Sequence, residues 1–397
     1  MSNINSIKSG TVLSNRWKLT SKVGEGAFGW VYDVESVCKG GSSSGICTYN
    51  TAKAVDYDLV VKIISTGQFM KKKEQKDQIK NCNTLNYEYD MIAGHMADFP
   101  YRPRVPEKFY DTDTTLGIRY LVMEKMDYDL QAYATLHHPL QSGNIAEVAT
   151  FGLQILRGLQ WLHERNLLFI DVKPQNFLIK GGNIYFIDFG LVEIPNNKRN
   201  PARGLIGTPT FASMATHGDC LLNFPRDDVE AMAYSLLSAY SRGLLPWSGA
   251  QSDEQCIKMK RDCDIMSFAS TCGMRELGEI VMHCRTLKDA ASKPDYSFCN
   301  SKLLQMQTSK GKSSSSSSSS NTAVAKVAMK CGNKKRSVTL VDVIDENNEY
   351  DVAPMDIVTE EHLVVSSRKK TTSGSKTKFT SDVDVVLGKK SAARKRK

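Results

Sequence analysis

The run from Leu168 to Gly190 constrains this chain more than any other stretch. It sets Asp171, Lys173 and Asn176 at Asp-x-Lys-x-x-Asn spacing, and 12 residues after Asn176 it places Asp188-Phe189-Gly190. Phosphoryl transfer asks little covalent chemistry of a protein: a carboxylate to orient the attacking hydroxyl, a cation on the moving phosphoryl group, and oxygen ligands for magnesium. On that chemistry Asp171 accepts the proton and Lys173 sits on the γ-phosphate of ATP, while Asn176 takes one Mg2+ and Asp188 bridges the other to the phosphates. Either half alone also reads as a buried hairpin whose Asp and Asn serve turns. Both halves, in order and at this distance, favour the chemistry.

Nucleotide-binding candidates lie upstream. Gly24-Glu25-Gly26-Ala27-Phe28-Gly29 is a glycine-rich turn, and strand-like Trp30-Val31-Tyr32 follows it where a Rossmann unit would start a helix. Gly24, Glu25, Gly26 and Gly29 would bring backbone amides to the phosphates. Lys62 stands inside the apolar run Leu59 to Ile64 and needs an anionic partner there, which assigns it to the α- and β-phosphates. Lys53, in a less apolar setting, is its rival. A helix predicted over Asn81 to Met96 offers Glu88 as the ion-pair partner of Lys62, with Ile92 one turn on, stacked toward Phe189 and Phe169. Glu74, in the lysine-rich run Lys71 to Lys76, reads instead as part of a solvated face.

Tyr120 to Met126 is a predicted strand that leaves as an extended link able to bind the adenine edge. Glu124 and Met126 are its contributors, and Met123 flanks the pocket. Asp129 serves either the ribose or a helix N-cap. From Asn144 to Arg165 the residues Ile145, Val148, Phe151, Ile155, Leu156, Leu159 and Leu162 recur at helical spacing and predict a core helix that delivers the Asp171 loop, with His163 structural.

These motifs together resemble the eukaryotic protein kinases, and Lys173-Pro174 after the aspartate resembles the Ser/Thr branch. The segment Gly207 to His217 lacks the Ala-Pro-Glu that usually ends it. With Pro225-Arg226-Asp227-Asp228-Val229-Glu230 and Gly243-Leu244-Leu245-Pro246-Trp247, it is similar to the casein kinase I and vaccinia-related kinase group, over roughly residues 16 to 300. The resemblance implies an α+β, two-lobed protein kinase-like fold, with a small β-rich N-lobe and a larger helical C-lobe. It also implies ATP-dependent phosphorylation of Ser or Thr on protein substrates, often near acidic or phosphorylated residues. Val31 would cover the adenine, Asp228 would support the catalytic loop from the helix beneath, and Thr208 would help fix Asp171 and Lys173.

One departure matters. Phe169-Ile170 stands where such kinases carry His-Arg, and the arginine normally holds an activation-loop phosphate. Without it the clamp cannot form, so activity is expected not to wait on loop phosphorylation, while Phe169 fills the histidine's volume. Arg199, Arg203 and Arg226 read either as receivers of a substrate anion or as solvated charge.

Composition bounds the rest. At 397 residues, 41% hydrophobic and 24% charged, the chain can build a sizeable core and is expected to form a catalytic unit over 16–308, with an N-lobe to about 123 and a C-lobe from about 127. Eight consecutive serines, Ser313 to Ser320, mark 309–321 as a flexible linker. The net charge of +9 belongs mostly to the end of the chain, where residues 309–397 hold 18 Lys and Arg against 10 Asp and Glu. The tail over 322–397, with clusters Lys334-Lys335-Arg336, Arg368-Lys369-Lys370 and Arg394 to Lys397, reads as an import signal, an electrostatic contact to nucleic acid or a solubilising terminus.

Ten cysteines without a Cys-x-x-Cys pair, a polar start and no apolar run of membrane length lead to the expectation of an intracellular monomer, nuclear or cytoplasmic, with no membrane partner. Two further classes stay open: a pseudokinase scaffold, and a nucleic-acid-tethered factor acting through the tail. The presence of Lys62, Asp171, Lys173, Asn176 and Asp188 together stands against the scaffold.

Overall fold

The computed structural model describes residues 7–26, 29–37, 57–66, 83–137, 144–194, 205–217, 223–287 and 293–308. The chain divides into units 1–357 and 358–397, and every described residue falls in the first. Ala27 and Phe28, Lys53 and nearly all of the Ser36–Tyr57 insert, the 71–76 run, Arg199, Arg203, the serine linker and the basic tail lie outside the described residues.

The architecture is α+β in two lobes. The N-terminal lobe is a six-stranded antiparallel sheet, β1 (Val12–Leu13), β2 (Trp17–Gly26), β3 (Gly29–Ser36), β4 (Leu59–Ser65), β5 (Tyr110–Asp113) and β6 (Ile118–Glu124), ordered β1-β2-β3-β4-β6-β5. Side chains alternate across a strand. In β4, Val61 and Ile63 therefore enter a core with Trp17, Leu19, Tyr32 and Tyr120, while Lys62 and Ile64 face the other way. Lys62 pairs across the sheet with Val31 and Leu121, in the middle of the sheet.

Helix α1, described over 83–90, continues into a π-helical turn, Met91–His95, closed by the Met96 N–H on the Met91 carbonyl at 2.9 Å. Such turns widen a helix by one residue per loop. Leu85, Ile92 and Met96 join the larger core of the C-terminal lobe.

That lobe begins with β7 (Tyr128–Asp129) and α2 (Leu130–His137), then α3 (Ile145–Glu164), the hairpin β8 (Phe177–Lys180) and β9 (Asn183–Phe186), and α4 (Pro225–Tyr240). It closes with α5 (Asp253–Asp262), α6 (Ile265–Thr271), α7 (Arg275–Thr286) and α8 (Tyr296–Thr308). The periodic positions predicted for α3 are buried, except half-buried Ile145. α4 is buried on all sides from Arg226 to Tyr240, so each of its polar side chains must find a partner inside the protein. The described helices contain no segment long and apolar enough to cross a membrane.

Glu124, the last residue of β6, fixes the junction of the lobes. Its buried carboxylate accepts from Arg104 Nε at 2.8 Å and Nη2 at 2.9 Å, and from Lys180 Nζ of β8 at 3.0 Å. Burial pushes this carboxyl up, but Arg104 and Lys180 overrule it and hold it at about 2. A depressed carboxyl stabilises the fold above its unfolded value and loses that contribution as pH falls through the folded value. Glu124→Gln should therefore lower stability at pH 7 by about 2 kcal/mol, read as a fall in Tm. The difference from wild type should shrink as pH is lowered from 4 toward 2, and equal Tm values at pH 7 would contradict the assignment.

Candidate active site

The functional side chains converge between the lobes because three local structures deliver them. β4 presents Lys62, α1 presents Glu88, and the turn after β9 presents Asp188. Lys62 Nζ lies 2.9 Å from Glu88 Oε2 and 3.1 Å from Asp188 Oδ1. Glu88 is fully buried, so its charge is tolerated only through such a partner. Burial works against the Lys62 ammonium, yet the two carboxylates raise it well above the ordinary lysine value. For Asp188, burial pushes the carboxyl up, but Lys62 and then Lys173 outweigh it and hold it ionised. Asp188 sits in the left-handed region at φ +63, a conformation that asparagine and aspartate tolerate better than most residues.

The second cluster forms around Asp171. Its Oδ1 accepts the Thr208 hydroxyl at 2.8 Å. Its Oδ2 faces Lys173 Nζ at 2.8 Å and the Asn176 amide nitrogen at 3.1 Å, and Lys173 is 3.5 Å from Thr208 Oγ1. Asn176 also donates to the Asp171 carbonyl at 2.8 Å. Gly207, at φ +90, precedes Thr208. A Cβ there would lie 3.3 Å from the Ile170 carbonyl oxygen and in the strained left-handed region, so glycine lets this segment close on the loop.

Asp228, the third residue of α4 after Pro225, holds this loop from below. Its carboxylate accepts the Phe169 N–H at 2.7 Å, the Ile170 N–H at 2.9 Å and His163 Nε2 at 2.9 Å. Because that carboxylate can only accept, His163 carries a proton on Nε2, and its Nδ1 lies 2.6 Å from the Tyr296 hydroxyl oxygen. Ile170 adopts φ +70, a region a β-branched residue avoids at a cost of about 1–3 kcal/mol. The two amide bonds to Asp228 keep it there. Ser235 of α4 adds a bond to the Val172 carbonyl at 3.1 Å. Phe169 is fully buried, with its ring 6.0 Å from that of Phe189 in an edge-to-face contact, and both belong to one core with Ile92.

Oxygen donors suit a hard divalent cation. Asp188 Oδ2 and the Asn176 side-chain oxygen have no hydrogen-bond partner among the described residues, and such a pair, completed by phosphate oxygens, fits the way magnesium is held beside nucleotides. No group of three His, Cys, Asp or Glu side chains gathers for a metal among the described residues. Gly29 supports the close approach of the glycine-rich turn to β4, since a Cβ on it would fall 2.0 Å from the Ile63 carbonyl oxygen at φ +126. Gly24 and Gly26 end β2, and Glu25 there is exposed and paired with Lys22. Met126 is buried and its backbone N–H is unpaired among the described residues. Met123 lines a small pocket with Glu88, Ile92, Val105, Ile187 and Phe189.

One open reading narrows and another changes. Asp129 Oδ1 accepts the Ala132 N–H at 2.7 Å, three residues on, which makes it the cap of α2. Arg226 is buried, and its guanidinium donates to the Leu287 carbonyl while passing 3.8 Å from Asp227, so it is not turned out to receive a substrate anion.

The segment 207–217 is held by residues that sequence reasoning missed. Ser213 Oγ donates to Asp227 Oδ1 at 2.6 Å, and the Met214 N–H to Glu230 Oε1 at 3.1 Å. Glu230 in turn pairs with Arg285 of α7 at 3.2 Å. Lys260 of α5, fully buried, donates to the Pro209 and Ala212 carbonyls. Acidic residues packed round an all-buried helix were the available signal for Asp227 and Glu230; nothing in the sequence separates Lys260 from Lys258.

Comparison with known proteins agrees with this geometry. The protein kinase domain family model matches residues 17–215. The chain is 26% identical over 317 residues to a Dictyostelium discoideum protein described as a probable serine/threonine-protein kinase, covering 77% of this chain and 56% of that protein. It is 26% identical over 258 residues to serine/threonine-protein kinase VRK2 of Homo sapiens, covering 62% of this chain and 46% of that protein. The chain thus spans about half the length of the curated relatives it matches. Among solved structures, vaccinia related kinase 3 shares the fold with a TM-score of 0.50 at 17% identity, over 76% of this chain and 90% of that one. A lysine bridging two lobes' carboxylates, a braced Asp-x-Lys-x-x-Asn loop and a family match over half its length place this chain in the protein kinase domain family, whose members use ATP and a divalent metal, with its similarities among the serine/threonine kinases of the vaccinia-related group.

Proposed function

We propose that this chain transfers the γ-phosphoryl group of ATP to serine and threonine hydroxyls of protein substrates, with magnesium as its metal and without needing a phosphorylated activation segment. The observation that carries the proposal is the Lys62 bridge: one ammonium within 3.1 Å of both Glu88 and Asp188 ties the sheet, α1 and the Asp188 turn into a single arrangement. A scaffold released from chemistry has no need of that three-way register.

Bound magnesium, held by Asp188 and Asn176, would supply Lewis-acid neutralisation of the phosphate charge. Lys62 orients the α- and β-phosphates. Asp171, its carboxylate fixed by Thr208, Lys173 and Asn176, orients the incoming hydroxyl and accepts its proton. Lys173 turns its charge toward the transferred group from beside Asp171. Ile170, where an arginine would be needed, cannot bind a phosphate, and its backbone is held by Asp228 instead. This supports activity that does not wait on loop phosphorylation.

Three measurements bear on this. With radiolabelled ATP and magnesium, Asp171→Asn should lower phosphate transfer by roughly 10²–10⁴-fold. Asp188→Asn should be at least as damaging while keeping the wild-type Tm within a few degrees; equal labelling by wild type and both variants would favour the scaffold. Protein treated with phosphatase and then freed of it should transfer phosphate at a rate within about twofold of untreated protein, and a lag that ends as the chain labels itself would refute independence from the loop.

A further inference from the structure

Lys260 is the most unusual side chain outside the site already described. It belongs to α5, which otherwise exposes lysines and acids, yet its side chain is entirely buried. Among the described residues no carboxylate lies within ion-pair distance of it. Its N–H groups donate instead to the Pro209 carbonyl at 2.6 Å and the Ala212 carbonyl at 2.7 Å, and His217 Nε2 stands 3.0 Å from both the ammonium and the Pro209 carbonyl oxygen. The rings of Tyr234 and Trp247 each stand 5.4 Å from the ammonium, within the range where an aromatic face stabilises a cation. Burial, then Lys260 itself, pushes His217 down to about 4, so that the ring adds no second charge beside the ammonium at neutral pH. Burial likewise pushes Lys260 down to about 8, where it still carries its proton at neutral pH.

What this cage encloses is a single turn. Within it the Thr210 carbonyl accepts the Trp247 indole N–H at 2.8 Å. The Thr208 carbonyl closes the turn from inside, accepting the Phe211 N–H at 2.9 Å and the Ala212 N–H at 3.0 Å. Thr208 then reaches Asp171 through its hydroxyl at 2.8 Å. A continuous path of hydrogen bonds therefore runs from Lys260 through the turn 208–212 to the carboxylate that must face the substrate hydroxyl. A backbone stretch adjoining that carboxylate borders the place where the substrate chain lies.

We propose that Lys260 is a positioning residue for protein-substrate binding, which clamps the turn 208–212 in the form that accepts a substrate chain beside Asp171. The inference rests on the kinase reading above and deepens it. A buried ammonium spent on backbone carbonyls stabilises one path of the chain, whatever the side chains of that turn are. Burying a charge this way is costly and leaves a large penalty if either side is lost. Lys260 touches no part of the Lys62, Glu88 and Asp188 cluster, so nucleotide binding should not feel its removal.

The test compares wild type with Lys260→Met, which keeps the stem and removes the ammonium, and with Trp247→Phe, which removes the Thr210 bond and leaves a smaller ring beside the ammonium. Steady-state kinetics would use ATP, magnesium and dephosphorylated casein, and hydrogen–deuterium exchange would follow residues 208–217. Lys260→Met is expected to raise the KM for casein about tenfold while the KM for ATP stays within about twofold, with faster exchange confined to 208–217. Trp247→Phe should move both readouts in the same direction by less, and it carries the test if Lys260→Met does not fold. An unchanged KM for casein with unchanged exchange overturns the proposal, as does a parallel rise of both KM values with exchange quickening through α3 and α4. If wild type transfers no phosphate at all, the kinase reading fails on that result. Exchange alone then decides the clamp: opening of 208–217 in Lys260→Met sustains it, and no change removes it.

Discussion

One ammonium group organises the cleft of this protein. Lys62 could not sit in the middle of a buried sheet without compensation, and the compensation comes from two elements far away in sequence, Glu88 on α1 and Asp188 after β9. Each contact is a positional constraint as well as a charge pair. If α1 rotated, Glu88 would lose its cation while buried; if the Asp188 turn flipped, Lys62 would keep only one counter-charge. The hydrophobic stack of Ile92, Phe189 and Phe169 behind the bridge is thereby held in register with it.

The opposite wall of the site depends on a different device. α4 buries three carboxylates, two aspartates and a glutamate, in its first six residues, and none of them is idle. Asp228 fixes the backbone of Phe169 and Ile170, Asp227 takes Ser213, and Glu230 takes the Met214 amide and Arg285. The helix thus holds both the loop that carries Asp171 and the segment that carries Thr208. Through Glu230 the same helix also reaches Arg285 of α7. The strained conformation of Ile170 fits the same picture: a residue with no phosphate to bind keeps its backbone shape because Asp228 dictates it.

Much of this was legible from particular residues. An isolated lysine in Leu59-Val60-Val61-Lys62-Ile63-Ile64 demands an anion, and Glu88 is the acid at the right place on a periodic helix. Helix α3 follows from its apolar spacing, with Ile145 alone less buried than its position suggests. Asp129 was ambiguous because an N-cap and a ribose contact ask for the same side chain in the same place. Arg226 misled because a basic residue beside an activation segment reads as exposed, whereas packing of α7 against α4 buries it over the Leu287 carbonyl.

The sequence by itself determined which side chains share the Asp171 loop and the two lobes that frame it, since short-range spacing sets which groups can share a loop and period-2 or period-3.6 patterns set which faces are buried. Only the tertiary structure decided how the segment after Gly207 is held. Lys260, Trp247, Asp227 and Glu230 reach it across 14 to 51 residues of chain. Their partners are mostly backbone carbonyls and amides, which every residue possesses, so no pattern of side chains could announce those contacts before the chain was folded.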